Sequence, residues 1–190
     1  MEIKKVKHLV KKKLSTKRYA HVKNVVHAAI ELAEQYGADP KKAELAAWLH
    51  DIVKEEPKEE LLQLLRQDAI MSKSTEQRPE VVWHGPCAAI YARTELGITD
   101  TQVLSAVECH TTGKPNMSVL DKVLFVADAI SCERDYPGVE LLRSLANQDL
   151  DKAVMGVLEH TIQFVKEKNM PLDPLTLEAL KGLQQGSQRT

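Results

Sequence analysis

The chain has 190 residues, enough for one domain with a proper core. Its 26 Lys and Arg nearly balance 27 Asp and Glu, and aromatics make up only 4% of the residues, which excludes a strongly basic nucleic-acid binder and a base-stacking module. No apolar run is long enough to span a bilayer, and the basic start MEIKKVKHLVKKKL lacks the apolar stretch of a signal peptide. Cys87, Cys109 and Cys132 are an odd set without CxxC spacing, which fits a reducing cytoplasm better than a disulfide framework.

In chain order the pattern is helical nearly throughout. Ile3, Val6, Val10 and Leu14 share one face of a Lys-rich first helix, whose charges read as a solvated face; the alternative is that Lys11, Lys12, Lys13, Lys17 and Arg18 attract a polyanion. Ser15 or Thr16 caps a second helix from about Lys17 to Tyr36, ended by Gly37. Asp39-Pro40 opens a third helix, in which Ala43 to Lys54 carries His50-Asp51 among Leu45, Trp48, Leu49, Ile52 and Val53. Pro57 starts a short helix, and Asp68 to Arg78 reads as loop. His84 lies in the turn opening a helix that ends at Gly97. Helices follow over Asp100–His110, Ser118–Ser131, Val139–Leu145, Leu150–Val165 and Pro174–Leu183. Strand alternation and repeats are absent, so the fold class is all-α. The expected organisation is one domain over 1–190, with motifs at about 17–145, C-terminal helices at 149–184 packed on them, and a frayed tail at 185–190.

A carboxylate among apolar neighbours costs several kcal/mol (order of magnitude) unless it is paired or bound to metal. Asp51 is one such group; Asp128, within LFVADAI, is another. His21 on the second helix, His84 in VVWHGP and His110 in VECHTTG complete the order His…His-Asp…Asp with two further His between the last two members. His21, His50, Asp51 and Asp128 form a sensible divalent-cation ligand set of two imidazoles and two carboxylates, open to water and substrate. His8, His27 and His160 lack comparable context and read as structural.

These residues resemble the HD-domain superfamily of metal-dependent phosphohydrolases, an all-helical fold. RYAHVKNVVHAA, AAWLHDIVKE, WHGPCAA, CHTTGKPNMSVLDK and FVADAISCERDYPGV together are similar to the YqeK family, over roughly Lys17 to Leu145. The resemblance implies a bacterial, iron-binding hydrolase that cleaves diadenosine tetraphosphate symmetrically to two ADP. One departure stands out: after Asp128 that family commonly carries a Tyr, then Glu-Pro, where this chain has Ala129 and Ser131-Cys132.

Hydrolysis of a phosphoanhydride needs cationic groups to offset phosphate charge and a proton donor or phosphate ligand at the leaving group. Lys54, Arg18 and Arg134 are candidates for the first, and His84 and His110 for the second, with Thr111 and Thr112 as an anion-cradling turn before Gly113. Asp51, Lys54, His84 and His110 are thus the expected catalytic groups. Substrate contacts are expected from Arg18, His21, Asp51, Lys54, His84, His110, Thr111, Thr112 and Arg134. His84 and His110 could instead complete a site for a second ion, although one ion is favoured. Iron is the expected metal, with manganese or another transition metal as alternatives. A nucleotidase acting on mono- or diphosphates is the runner-up, and a non-catalytic nucleotide sensor or an iron-dependent oxygenase on the same scaffold are the readings from other classes. The expected partner is a nucleotide, with no nucleic acid and no membrane; a homodimer is compatible with the sequence.

Overall fold

The computed structural model describes residues 2–68 and 75–187. Its α-helices are α1 (Ile3–Lys13), α2 (Thr16–Tyr36), α3 (Pro40–Leu49), α4 (Lys58–Arg66), α5 (His84–Thr94), α6 (Thr101–Cys109), α7 (Val119–Ile130), α8 (Val139–Ala146), α9 (Leu150–Glu167) and α10 (Pro174–Ser187). A 3-10 turn at Glu80–Val82 precedes α5, and no strand occurs among the described residues.

Short polar side chains start most of these helices by accepting amides that the first turn leaves unpaired, each cap being worth about 1 kcal/mol. Ser15 accepts from Arg18 N at 3.3 Å and Asp39 from Lys41 N at 2.8 Å, with Pro40 preset for the first helical position. Asp100 accepts from Gln102 N at 3.0 Å. At α7, Ser118 and Asp121 cap reciprocally: Ser118 Oγ accepts Asp121 N–H and Asp121 Oδ2 accepts Ser118 N–H. Gly37 ends α2 with φ at 74°, a left-handed conformation that would strain a side chain.

Three helix ends differ from the sequence reading by three residues or more. The α-helix expected to carry His50-Asp51 through Lys54 stops at Leu49, and the backbone tightens into successive i to i+3 turns: Ile52 N–H to Leu49 O, Lys54 N–H to Asp51 O and Glu56 N–H to Val53 O. The tighter winding turns Asp51 toward His50 and His84 together. At α5 the helix ends at Thr94, three residues before the expected Gly97. The last helix runs on to Ser187, past the expected Leu183 and into the expected tail, because Gln184 and Gln185 are good helix formers and nothing crowds Gly182. Residues 69–74 of the expected loop and 188–190 of the tail lie outside the described residues.

Helices α2, α3, α6 and α7 pack on one another, with α5 on α6, α4 on α5, α1 on α3, and α8, α9 and α10 joined through α9 on the other flank of α7. Leu49, Ile52, Ile90, Leu124 and Leu158 are fully enclosed there. Truncating any of them to Ala would cost about 2–5 kcal/mol. On α1 only Val6 and Val10 are buried within the helix, while Lys7 pairs with Glu44 at 2.9 Å and Lys13 with Glu56. Those pairs, with Lys7 over the Trp48 ring, support the reading of a solvated basic face.

Candidate active site

Four imidazoles meet where α2, α3, α5, α6 and α7 converge. His21 is on α2 and 8% exposed; His50 follows α3 and is fully buried. His84 is the first residue of α5, and His110 the first residue after α6. Three of them are oriented alike by backbone carbonyls three residues earlier. His50 Nδ1 lies 2.7 Å from Ala47 O, His84 Nδ1 3.1 Å from Val81 O, and His110 Nδ1 2.7 Å from Val107 O. A carbonyl only accepts, so Nδ1 carries the proton and each Nε2 turns a lone pair inward.

Asp51 is the hub of the cluster. Its Oδ2 lies 3.5 Å from His50 Nε2, 3.8 Å from His21 Nε2 and 3.0 Å from Arg18 Nη1. Its Oδ1 faces the other way, 3.4 Å from His84 Nε2 and 3.7 Å from His110 Nε2. Asp128, near the end of α7, reaches His21 Nε2 at 3.1 Å and accepts from Arg134 Nη2 at 2.6 Å. Lys54 Nζ lies against the His84 ring, 3.1 Å from Nδ1 and 3.2 Å from Nε2; with Nδ1–H given to Val81 O, Nε2 is the atom that accepts from the ammonium.

The charges are mutually tuned. Burial opposes ionisation of Asp51, but His50, His110 and His84 hold its carboxyl well below the usual carboxylate range. Burial likewise opposes ionisation of Asp128, and His21, His50 and Arg134 override it downward. Burial, His110 and Lys54 push His84 well below the usual imidazole value, whereas at His50 the pull of Asp51 outweighs burial and raises it. Burial also lowers Lys54.

This donor set fits a divalent cation on grounds internal to the structure. His50 Nε2 is buried with no hydrogen-bond partner, and His21 Nε2, though 3.1 Å from Asp128 Oδ1, makes no well-aligned hydrogen bond; a cation would relieve both ring nitrogens. Ligand atoms of His21, His50 and Asp51 all lie within 4.8 Å of one another, as do those of His50, His110 and Asp128, and those of Asp51, His84 and His110. Imidazole nitrogen with carboxylate oxygen suits the first-row transition metals.

The structure therefore brings together His21, His50, Asp51, His84, His110 and Asp128, with Arg18, Lys54 and Arg134 at the rim. The anion-cradling turn is corrected. Thr112 N–H and Gly113 N–H both bond Cys109 O, closing α6, and Gly113 takes φ of 63° to do so. Thr112 is buried, its hydroxyl donating to Gly113 O and accepting from Arg78 Nη2, so it faces away from the cluster. Thr111 Oγ1 is buried without a partner and sits near Gly85, beside His84. Sequence reasoning missed Glu133, which hydrogen-bonds His21 Nδ1. No local signal marks it: in one dimension Glu133 is an acid beside Arg134, 112 positions from His21.

Two cavities open onto the cluster. One of about 450 Å³ is lined by Arg18, His21, Glu133, Arg134 and Tyr136 among others; one of about 340 Å³ by Lys54, Lys58, Leu61, Val81 and His84 among others. The wall of the first carries three basic groups, Lys17, Arg18 and Arg134, interleaved with the acids Glu55, Glu133 and Asp135.

A family model described as the HD domain matches residues 18–133, a span that holds every member of the cluster. The protein named symmetrical bis(5'-nucleosyl)-tetraphosphatase from Bacillus subtilis (strain 168) is 41% identical over 94% of this chain and 95% of its own length. The protein of the same name from Halalkalibacterium halodurans is 45% identical over 91% of this chain and 92% of its own. A crystal structure of a predicted HD superfamily hydrolase involved in NAD metabolism from Clostridium acetobutylicum superposes with a TM-score of 0.89 at 34% identity, covering 98% of both chains. The chain belongs to the HD domain family and, within it, to the family of these bacterial relatives.

Proposed function

We propose that the protein is a divalent-metal-dependent hydrolase that cleaves diadenosine tetraphosphate symmetrically, adding water across the central anhydride to give two ADP. The observation that carries the hydrolytic reading is the convergence of four imidazoles on Asp51, with Asp128 and three cationic side chains around them. The relatives' printed names supply the substrate. His21, His50, Asp51 and Asp128 would hold the cation, and iron is our assignment among the metals that this N/O set accepts. A cation there supplies Lewis acidity, which acidifies water and polarises a phosphoryl oxygen.

The chain's own groups do the rest. Asp51 and Asp128, held ionised, keep the centre anionic and so retain a cation across the neutral pH range. Arg18 and Arg134 pair with those carboxylates at 3.0 and 2.6 Å and can turn to phosphate oxygens from the same positions. As water oxygen bonds a central phosphorus, the bridging P–O bond breaks and its electron pair leaves on the departing ADP. Lys54, against the His84 ring at the edge of the cluster, is the group we assign to that charge, and its removal should slow the step with the cation still bound. His84 is held neutral, so it offers a lone pair rather than a positive charge.

That neutrality favours a second reading of His84 and His110. Their Nε2 atoms lie 3.2 Å apart, and two lone pairs so placed repel unless a proton or a cation lies between them; the Lys54 ammonium, 3.2 Å from His84 Nε2, meets that lone pair from the side and would give way to an ion. With Asp51 Oδ1 they form a second ligand group, so we assign them to a second ion rather than to direct phosphate contact. Metal analysis after anaerobic loading should give two ions per chain, and one in His110→Ala; one ion in both would return these histidines to phosphate binding. The reading places the enzyme in a bacterial cytoplasm, in keeping with three cysteines left as free thiols.

The functional test is anaerobic turnover of diadenosine tetraphosphate with iron, manganese or chelator, products resolved by chromatography. The expected product is ADP alone, lost on chelation. AMP with ATP would reject symmetric cleavage, and tight ADP binding without turnover by any metal form would make the protein a sensor.

A further inference from the structure

His21 differs from the other three imidazoles in how it can be held. His50, His84 and His110 sit at helix ends, where a carbonyl three residues back still has room for Nδ1–H. His21 lies inside α2, where the neighbouring carbonyls are engaged in the helix ladder, so a side chain must do the work. That side chain is Glu133, which reaches back from the segment after α7. Its Oε1 accepts His21 Nδ1–H and also the Ser131 hydroxyl at 2.9 Å, while its Oε2 accepts Asn24 Nδ2 at 2.7 Å. A carboxylate only accepts, so the proton of His21 is fixed on Nδ1. Its Nε2 then points between Asp51 and Asp128.

We propose that Glu133 is the positioning residue of the cation site, setting the tautomer and ring plane of His21. This rests on the reading of His21 as a cation ligand. Two contacts shape the carboxylate for the task. Asn24, one turn along α2 from His21, steers its far oxygen, and the buried Ser131 hydroxyl supports its near one. The Ser131 Oγ is already in contact with the carboxylate that serves His21, 2.9 Å from its Oε1. A side chain two bonds longer at position 131 would carry a carboxylate to the place that Glu133 fills.

The test is Mn²⁺ affinity of the metal-free protein, followed by the EPR signal of the free ion, with circular dichroism confirming the fold. Glu133→Ala should weaken binding about 10- to 100-fold, the usual cost of losing a carboxylate that supports a ligating histidine. Glu133→Gln should lose less, because its amide oxygen still accepts from Nδ1–H. Ser131→Glu placed in the Glu133→Ala protein should restore binding. Asn24→Ala, which removes only the contact to the far oxygen, should weaken binding clearly less than Glu133→Ala. Wild-type affinity in His21→Ala would instead overturn the assignment of His21 as a ligand. Weakened His21→Ala beside unaffected Glu133→Ala would overturn the role of Glu133 alone. Equal damage from Asn24→Ala and Glu133→Ala would mean that the carboxylate only fastens the loop to α2. Should Glu133→Ala not fold, Glu133→Gln and the double variant decide the matter.

Discussion

At Gly85, immediately after His84, α5 lies against the α6 backbone at Glu108, and Gly85→Ala sets two known effects against each other. Inside a helix, Ala is favoured over Gly by about 1 kcal/mol, so propensity alone predicts stabilisation. A Cβ at this position, however, would lie 2.7 Å from Glu108 O, below the 3.0 Å that real Cβ atoms essentially never breach. The obstacle is backbone of α6 and cannot rotate away. Overpacking costs about 1–3 kcal/mol, and a backbone obstacle puts this case in the upper part of that range, about 2–3 kcal/mol; less the ~1 kcal/mol from propensity, the net expectation is a loss of about 1–2 kcal/mol, or roughly 2–8 °C in Tm for a chain of this size. Moving α5 off α6 also separates His84 from His110, whose ring nitrogens are 3.2 Å apart, so the second ion should bind more weakly. The assay is thermal unfolding of the metal-free protein plus metal analysis after loading. Two other glycines calibrate it. At Gly182 nothing lies within 4 Å, so Ala should stabilise; at Gly156 the obstacle is the flexible end of Leu142, so the cost should be small. A Gly85→Ala protein as stable as wild type, with unchanged metal content, would refute the reasoning.

Other expectations are quicker to check. Asp128→Ala should lose metal and turnover together, measured by metal analysis and product release; normal metal content with full activity would remove Asp128 from the site. Lys54→Ala should keep its metal and lower kcat about 10²–10³-fold, in line with loss of one preorganised charge-stabilising donor. Only Cys132 is exposed, while burial pushes the Cys87 thiol up to about 12 and raises Cys109 further, so a colorimetric thiol reagent should count one thiol in the native protein and three after denaturation. For pH, the lowered value of His84 means that the unfolded chain takes up a proton below about pH 6.5 while the folded chain resists it, so His84 erodes stability as the pH falls. His50, raised, acts in the opposite sense, so the difference must be read by substitution. In chelator, the stability of His84→Gln relative to wild type should rise as pH drops from 7.5 to 5.5, and a flat difference would contradict the sign.

Much of this was legible before the fold was known. Apolar periodicity and short polar caps announced the helices, and the buried setting of Asp51 and Asp128 announced a site, because an ionised carboxylate among Leu, Val and Ile demands a partner. What remained hidden depended on tertiary detail. Nothing local says that α3 stops at Leu49, since the i to i+3 turns from His50 onward follow from where Asp51 must point. The Thr111-Thr112-Gly113 run looks like an anion cradle in one dimension; only the fold reveals that its amides close α6 on Cys109 O. Glu133 was invisible for a third reason: it lies 112 positions from His21, and an exposed acid beside Arg134 looks like ordinary surface charge.

The central claim is that water attacks a central phosphorus of the tetraphosphate at a metal-dependent site. Single turnover in ¹⁸O-labelled water, read by mass spectrometry, tests it most directly. The account predicts ADP as the only nucleotide product, with one labelled oxygen in half of the molecules and on the β-phosphate, and no reaction after chelation. Label carried into AMP or ATP, or turnover that survives chelation, would contradict it.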